Sequence, residues 1–397
     1  MVLTPGGGHA ERLLPIVQGL SRRGFDVHVM TRADVGEFVK AAGGIFSDLY
    51  KKYPVDAADR ESVPFPIRLV SFAATYLEPL TVEIAALRPL LIIYDSFMVV
   101  APLVARRLGI PHIGVRAGHA QEPSRAIDAM RADPRVRISA ACEAAVAKLR
   151  ASDGFSDASP FSYLDGVSPY LNLYPEPPAF LDDESRLAFQ PLAFFGSLAP
   201  DLRESRSHDR PLARGAGKTR IYVSFGGVIW KYYADIALAA LGVLADVFAR
   251  CDADVLVSLG NHHILDAERR RLERTNVRVI TWIDQWGALI DADLFVTHNG
   301  LNSTHEAVFH QVPMLSYAFL SDQAAMAQTC QRLGLAIPLT DRPRASLDAQ
   351  AVRRQLENIA LKRPDLDARL AEARTWELET IAGRDAVLDR MLALAGV

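Results

Sequence analysis

The chain has 397 residues, of which 50% are hydrophobic and 23% charged, with a formal net charge of −3. This length allows two or three domains with full hydrophobic cores, and the composition is that of a globular protein. The small charge, with Lys and Arg scattered along the chain, gives no support for a nucleic-acid partner.

Cysteine usage and the lack of long apolar runs point to a cellular compartment. The three cysteines, Cys142, Cys251 and Cys330, are far apart and form no CxxC pair, which favours a reducing cytosol over disulfides or a structural zinc. No apolar run reaches about 18 residues, and the N-terminus lacks the pattern of a signal peptide. We therefore expect a cytoplasmic protein without stable membrane insertion, as a monomer or weak dimer.

The N-terminal region predicts a strand, a glycine loop and a helix. Residues 1–4 are strand-like, residues 6–8 are all glycine, and Leu13, Val17 and Leu20 follow at helical spacing. A strand of about four residues is short, so either this edge is frayed or the natural start lies upstream of Met1. The glycines do not form G-x-G-x-x-G, and no acidic residue follows the second strand at the usual place, which argues against a dinucleotide cofactor.

A histidine and a carboxylate follow two of the predicted N-terminal strands. His9 comes after the first strand and its loop, and Asp95 ends the apolar run 90–94. The carboxyl ends of parallel strands share one edge of a sheet, so the two side chains can meet there. A histidine fixed by a carboxylate is suited to general base catalysis. From the residues alone, helix capping remains the simpler interpretation of both.

The composition of the sequence changes between residues 172 and 217. Segments 174–178 and 203–217 are rich in Pro, Gly, Ser and charged residues. This composition is typical of a linker. A second α/β series then begins with the strand 221–224, a loop containing Gly226 and Gly227, and a helix over about 233–250. We predict two facing Rossmann-like α/β domains: residues 1–200, a linker 201–217, residues 218–375, and a C-terminal helix 376–397 that packs back across the junction.

The segment from Trp282 to Gln323 holds the most informative pattern. A buried strand, 294–297, is followed by His298 and by Gly300, which allows a tight turn. Asn302 or Ser303 is predicted to cap a helix running to about residue 311. Glu306 follows Ser303 at the spacing of a capping box.

These residues suit the parts of a nucleoside diphosphate. Helix N-termini bind phosphate, and His298 can donate to the same group. Glu306 can accept from both ribose hydroxyls, and Trp282 offers a flat face for a base. An ordinary capped βα unit with an unrelated histidine is the alternative interpretation of the strand, turn and helix alone.

The wider segment resembles the signature box of the family 1 glycosyltransferases, the UDP-sugar-dependent enzymes of plant secondary metabolism and bacterial antibiotic pathways. That box reads approximately W-x-x-Q, T-H-x-G-x-N-S-x-x-E, G-V-P and D-Q. The matching residues are Trp282, Gln285, Thr297, His298, Gly300, Asn302, Ser303, Glu306, Val312, Pro313, Asp322 and Gln323. The chain departs from the box at Gln311, where the family usually has Gly, at Asp284 and at Leu301.

The resemblance implies the GT-B architecture and inverting transfer of a sugar from a UDP- or dTDP-sugar to a hydroxyl of a small-molecule acceptor. The family's catalytic His–Asp pair falls at His9 and Asp95. The implied donor-binding residues are Gly227, Trp282, Gln285, His298, Gly300, Asn302, Ser303, Glu306, Asp322 and Gln323. Because the helix N-terminus and His298 can neutralise the leaving diphosphate, we expect no cofactor and no metal.

Other polar clusters receive structural interpretations. His262 and His263 are predicted in a solvated loop, and His119 in a surface loop, although it can also line an acceptor pocket. The pairs Asp252/Asp254 and Asp291/Asp293 resemble metal-binding DxD motifs but precede strands, as turn residues do. Acceptor pockets are built from variable loops, here residues 118–180.

Two alternatives remain. One is a different enzyme of the same architecture, such as a lipid-linked sugar transferase or a nucleotide-sugar epimerase, and the signature box argues against it. The other is a non-catalytic protein that binds sugar nucleotides, which would need neither His9 nor Asp95.

Overall fold

The computed structural model describes residues 1–116, 118–119, 122–204, 212 and 217–397. Two compact units divide the chain: one comprises Met1–Ser197 together with Glu379–Val397, and the other is Leu198–Leu378. Most of the predicted linker, residues 205–211 and 213–216, lies outside the described residues.

The first unit contains a parallel sheet of seven strands in the order β3-β2-β1-β4-β5-β6-β7. The strands are β1 (Val2–Leu3), β2 (His28–Thr31), β3 (Ile45–Asp48), β4 (Ile92–Asp95), β5 (His112–Val115), β6 (Leu171–Tyr174) and β7 (Leu192–Phe194).

Within the described part of this unit, ten helices connect or follow these strands, with short 3₁₀ turns at Ala33–Val35 and Pro178–Phe180. They are α1 (Gly8–Arg22), α2 (Gly36–Ala41), α3 (Leu49–Lys52), α4 (Val55–Ala58), α5 (Phe65–Leu87), α6 (Val100–Leu108), α7 (Pro123–Ala132), α8 (Ala140–Ser152), α9 (Ser162–Asp165) and α10 (Asp183–Ala188).

The second unit contains a parallel sheet of six strands in the order β10-β9-β8-β11-β12-β13. These strands are β8 (Thr219–Ser224), β9 (Ala253–Ser258), β10 (Val277–Ile280), β11 (Leu294–Thr297), β12 (Met314–Ser316) and β13 (Ala336–Pro338).

The helices of the rest of the chain begin with α11 and end with α19, which belongs to the first unit. They are α11 (Pro200–Glu204), α12 (Ile229–Phe248), α13 (Asp266–Leu272), α14 (Gln285–Asp291), α15 (Leu301–Phe309), α16 (Ser321–Leu333), α17 (Ala349–Leu361), α18 (Arg363–Ala382) and α19 (Arg384–Leu394). Helix α19 is held to α1 by Arg23, whose guanidinium donates to Asp385 and Asp389.

Helix α5 is the principal core helix of the first unit. Among the described residues it is the one helix long and apolar enough to cross a membrane, and half of its apolar window is buried inside the unit. Its buried face packs on α6 and α8, and Ile67, Val70, Phe72, Leu80 and Ile84 are almost completely inaccessible. Such burial is what a core helix needs, because its apolar surface is removed from water by neighbouring helices.

Three local predictions were wrong. Tyr174 is the last residue of β6 and lies in the first unit, so residues 175–177 connect a buried strand to the 3₁₀ turn Pro178–Phe180 rather than forming a linker. The first strand is Val2–Leu3, shorter than predicted. Helix α12 begins at Ile229 rather than near Tyr233, whose φ of −141° marks a kink inside the helix. The apolar Ile229 and Trp230 are buried in this additional first turn.

Candidate functional site

In the first unit, His9 and Asp95 form a direct hydrogen bond. His9 is in the first turn of α1, and its Nδ1 lies 2.9 Å from Oδ2 of Asp95, the last residue of β4. The other carboxylate oxygen accepts from the backbone N–H of Phe97 at 2.9 Å. The Asp95 side chain is 2% exposed and that of His9 25% exposed. The carboxylate is therefore fixed from both sides, and the imidazole remains accessible.

The order of the strands explains why two residues so far apart in sequence meet. Strand β1 pairs with β2 on one side and with β4 on the other. The chain adds β2 and β3 on one side of β1 and the later strands on the other side, so the strand order reverses between β1 and β4. His9 follows β1 and Asp95 ends β4. Ligands of open parallel sheets bind at the carboxyl ends of strands beside such a switch point.

A second histidine–carboxylate pair lies along the same edge of this sheet. Nδ1 of His119 is 2.9 Å from Oε1 of Glu176, and both residues are buried. The hydroxyl of Tyr174, at the end of β6, lies 3.4 Å from the same nitrogen. The interpretation of His119 as a surface-loop residue was therefore wrong. Glu176 was missed because its Pro-rich surroundings are typical of a linker.

Arg116, which follows β5, is a buried cation at this edge. It donates to the carbonyls of Leu164 and Gly166 and stacks over the ring of Phe189, 4.4 Å from the centroid. Burial lowers the pKa of the Arg116 guanidinium from its usual value. Within the predicted acceptor stretch 118–180, residues 120 and 121 lie outside the described residues.

In the second unit, His298 lies at the corresponding switch point. The chain runs from β8 outward through β9 and β10 and then returns to β11 beside β8. His298 directly follows β11, and Gly226 directly follows Phe225 after β8. A Cβ on Gly226 would lie 2.8 Å from Nε2 of His298, and one on Gly300 would lie 2.4 Å away. Only glycine fits on either side of this ring.

The glycine loop after β8 also approaches the loop after β9. Gly226 has a φ of +69°, and a Cβ on Gly227 would lie 2.9 Å from the carbonyl oxygen of Gly260. Burial lowers the pKa of His298 to about 4. The ring is therefore neutral at physiological pH and carries one N–H donor and one acceptor nitrogen.

Three of the predicted donor residues form one hydrogen-bonded cluster. The Nε2 atom of Gln285, at the start of α14, lies 2.7 Å from Oε2 of Glu306 and 3.1 Å from Oγ of Ser303. Ser303 and Glu306 are three residues apart on α15, so they face the same side of that helix. Glu306 is 3% exposed. The Gln285 amide thus determines which carboxylate oxygen faces away from it.

The predicted helix cap was wrong. The N-cap of α15 is Gly300, with no side-chain hydrogen bond to the helix, and Leu301, Asn302 and Ser303 form its first turn. Ser303 and Glu306 therefore do not form a capping box. The Ser303 hydroxyl and the Glu306 carboxylate bond to Gln285 instead, a contact that spacing within one helix does not predict. Because the N-cap residue Gly300 has no side chain, the first N–H groups of α15 donate no hydrogen bond to an N-cap side chain.

The remaining predicted donor residues occupy different surroundings. Trp282, in the loop after β10, is 63% exposed. Asp322 is in the first turn of α16. Oε1 of Gln323 accepts from the backbone N–H groups of Phe319 and Leu320, at 3.0 and 3.1 Å, so this oxygen is used to cap α16.

The two DxD-like pairs lie at the opposite, amino ends of strands. Asp293 precedes β11 and makes a bidentate pair with the guanidinium of Arg220, with distances of 2.8 and 3.0 Å. Asp291 lies 3.6 Å from the same guanidinium. Asp254 is within β9 and lies 3.8 Å from Arg278. Within the described ranges, no group of three or more His, Cys, Asp or Glu side chains is arranged to hold a metal ion.

Comparison with known proteins places this geometry in a family. Residues 210–363, which include the whole donor cluster, match the family model for UDP-glucoronosyl and UDP-glucosyl transferase. The chain is therefore a glycosyltransferase, and its matched part resembles the UDP-glycosyltransferases. Relatives of this glycosyltransferase include two from Bacillus subtilis (strain 168). An uncharacterized UDP-glucosyltransferase, YdhE, is 22% identical, with 89% of each chain covered. The NDP-glycosyltransferase YjiC is 24% identical over 85% of this chain and 83% of that protein.

Solved structures share the fold of the glycosyltransferase over almost its whole length, and confirm the predicted GT-B class. The glycotransferase of kitacinnamycin aligns with a TM-score of 0.75 at 21% identity, covering 98% of each chain. The calicheamicin glycosyltransferase CalG4 gives 0.73 at 20% identity, covering 100% of this chain and 98% of that one. VinC, solved in complex with DTDP, gives 0.63 at 16% identity, covering 100% and 99%.

One departure of this glycosyltransferase from the family box has a visible structural consequence. Gln311, at the position where the family usually has glycine, has a φ of +56°. This left-handed conformation follows the end of α15 and precedes the turn into β12. Glycine adopts it without strain, whereas a residue with a Cβ is disfavoured there.

Proposed function

We propose that this glycosyltransferase transfers a sugar from a UDP- or dTDP-sugar to a hydroxyl group of a small-molecule acceptor, with inversion at the anomeric carbon. The observation that carries the proposal is the hydrogen bond between His9 and the buried Asp95 in the first unit. A protein that only binds sugar nucleotides would not need this pair.

His9 is the general base of the proposed reaction. With a proton on Nδ1 donated to Asp95, the lone pair of His9 is on Nε2 and can take the acceptor proton. The acceptor oxygen then bonds to the anomeric carbon while the bond from that carbon to the diphosphate oxygen breaks. The electron pair of the broken bond leaves with the nucleoside diphosphate. Asp95 stabilises the imidazolium that forms, and the sugar passes through a state resembling an oxocarbenium ion.

The second unit supplies the groups for the leaving diphosphate. His298 is neutral and held between Gly226 and Gly300, and the N-terminus of α15 begins at Gly300. Backbone N–H groups at a helix N-terminus and a fixed imidazole donor favour negative charge without reorganisation. We propose that these groups neutralise the diphosphate without a metal ion or other cofactor.

Glu306 and Gln285 are assigned to the ribose of the donor, and exposed Trp282 to the base. A carboxylate that accepts from a ribose hydroxyl distinguishes ribose from deoxyribose only when the 2′-hydroxyl is one of its partners. UDP and dTDP therefore remain the two donor nucleotides to compare. VinC supports dTDP through its complex, and the UDP-glucosyltransferase relative supports UDP.

The acceptor is proposed to be a natural product with a free hydroxyl. A glycosyltransferase of oleandomycin from Streptomyces antibioticus is 31% identical over 146 residues, 36% of this chain. The acceptor is assigned to the first unit, where His9 follows β1, and Arg116 and His119 both follow β5 of the same sheet. The three cysteines form no disulfide among the described residues, and we propose a cytoplasmic location.

A panel of nucleotides tests this proposal without knowledge of the acceptor. UDP, dTDP and GDP are each added to the purified chain, and the melting temperature is measured. Either pyrimidine diphosphate should raise it more than GDP does, because the site is assigned to a pyrimidine base. A larger shift with GDP, or no shift with any of the three, would contradict the donor assignment. Transfer is then measured with the favoured sugar nucleotide and a panel of phenols and alcohols.

A further inference from the structure

A buried histidine–glutamate pair connects the helix of the donor cluster to the end of the second unit. His305 is on α15, between Thr304 and Glu306, and Glu377 is on α18, 72 positions later. Nδ1 of His305 and Oε1 of Glu377 are hydrogen-bonded, and the two side chains are 0% and 1% exposed. Neither residue belongs to the signature box, and neither has a role in the chemistry proposed above.

Burying such a pair costs free energy. Ionisable side chains lose hydration on burial, and a buried pair is often no more stabilising than apolar side chains of similar volume. What the pair adds is direction, because a hydrogen bond between two fixed atoms defines how one helix is rotated against the other. The pair therefore points to a requirement for geometry rather than for stability.

The geometry in question is that of α15. Successive residues of a helix are rotated by about 100°, so His305 faces away from the side on which Ser303 and Glu306 meet Gln285. Helix α15 is thus held by hydrogen bonds on two sides, from Gln285 on α14 and from Glu377 on α18. A second contact between α15 and α18 places the Arg374 guanidinium 5.2 Å from the ring centroid of Phe309.

We propose that His305 and Glu377 are positioning residues for the nucleotide donor. Their hydrogen bond fixes the rotation of α15, and so the places of Ser303 and Glu306 and of the helix N-terminus at Gly300. This inference rests on the proposed function, because it assumes that those groups bind a nucleoside diphosphate. It differs from a structural role in predicting weaker donor binding without loss of folding.

The decisive variant replaces both partners with leucine. His305→Leu/Glu377→Leu removes the directional bond and leaves apolar side chains in a buried site, so it should melt no lower than the wild type. It should bind the favoured nucleotide, UDP or dTDP, at least fivefold more weakly in calorimetric titration. The KM for the donor sugar nucleotide should rise by a similar factor, with kcat at saturating donor within twofold and the KM for the acceptor unchanged.

Single variants keep the inference testable if the double variant fails to fold. Glu377→Ala should weaken nucleotide binding, and Glu377→Gln should restore most of it, because a glutamine oxygen can accept from Nδ1–H of His305. Two controls belong with them. Glu372→Gln, at an exposed position of α18, should leave binding unchanged. Val352→Ala, in the core of the same unit, should lower the melting temperature without changing nucleotide affinity.

The outcomes separate this inference from the function on which it rests. A folded double variant that binds nucleotide within twofold of the wild type would overturn the positioning role. So would a Glu377→Gln variant no better than Glu377→Ala. A wild-type chain that binds none of the three nucleotides would instead overturn the proposed function, and this inference with it.

Discussion

Nδ1 of His9 lies 2.9 Å from Oδ2 of Asp95, although 86 positions separate the two residues. The contact depends on the strand order, since β1 and β4 are neighbours only because the chain crosses the sheet between β3 and β4. Asp95 is held by a backbone N–H as well, so its carboxylate cannot turn away from the ring. This is the arrangement that orients an imidazole for proton abstraction.

The Gln285 amide should matter for donor binding through Glu306 as well as by direct contact. Glu306→Ala should weaken nucleotide binding at least tenfold, because hydrogen bonds to a charged group contribute roughly 1.5–3 kcal/mol each. Gln285→Ala should weaken it by a smaller factor, since Glu306 remains but is no longer oriented. Calorimetric titration with UDP and dTDP measures both. Equal affinities in wild type and Glu306→Ala would show that this carboxylate does not contact the nucleotide.

The close packing around His298 gives a prediction for Gly300. Its φ of −63° is accessible to any residue, so the obstacle to Gly300→Ala is the His298 ring, 2.4 Å from the added Cβ. The substitution should displace the ring and lower nucleotide affinity at least tenfold. Gly242→Ala is the matched control, because no atom lies within 4 Å of its added Cβ and alanine favours the surrounding helix. If Gly300→Ala binds nucleotide like Gly242→Ala, His298 does not need its present position.

The proposed metal-free mechanism predicts that turnover survives a chelator. EDTA should change the rate by less than twofold, whereas His298→Ala should lower it strongly, since the fixed donor beside the diphosphate is lost. The rate of sugar transfer is measured with and without EDTA and after addition of Mn²⁺. Activity that EDTA abolishes and Mn²⁺ restores would contradict this mechanism. It would also require a new interpretation of Asp252 and Asp291.

Gln311 offers a test of backbone strain. Gln311→Gly should raise the free energy of unfolding by about 0.5–1 kcal/mol, because relief of the left-handed strain exceeds the added flexibility of the unfolded chain. Gln328→Gly, at an exposed position in the middle of α16, should lower it by about 1 kcal/mol, since glycine is unfavourable in a helix interior. Urea unfolding measures both variants. A destabilised Gln311→Gly would mean that the Gln311 side chain makes contacts worth more than the strain.

The sequence was sufficient for the fold class, because strands of buried apolar residues alternate with amphipathic helices throughout. It was also sufficient for the order of the signature residues along β11 and α15. It was not sufficient for contacts between elements. The bond from Gln285 to Glu306 joins two helices, and capping rules within one helix assigned Ser303 and Glu306 to each other instead.

In both units the sequence did not predict a histidine–glutamate pair, because the two partners lie far apart along the chain. Glu176 follows a strand in a Pro-rich stretch, and nothing local indicates that its carboxylate meets His119. Glu377 lies in a helix rich in charged residues, where an exposed glutamate is the usual expectation, yet it is buried against His305. Parallel topology indicated that His9 and Asp95 can meet, because both lie at the carboxyl ends of strands and such ends share one sheet edge. The resemblance to the family, rather than the residues alone, assigned them as a catalytic pair.

The central claim, that His9 is the base of a sugar transfer, is tested most directly by turnover measured beside nucleotide binding. Rates of transfer from the favoured sugar nucleotide are compared for wild type, His9→Ala, Asp95→Asn and the control His263→Ala, an exposed loop histidine. His9→Ala should lower kcat roughly 100-fold or more, with nucleotide affinity unchanged. Asp95→Asn should also lower kcat. The control His263→Ala should have the kcat of the wild type. Unchanged turnover in both His9→Ala and Asp95→Asn would contradict the account.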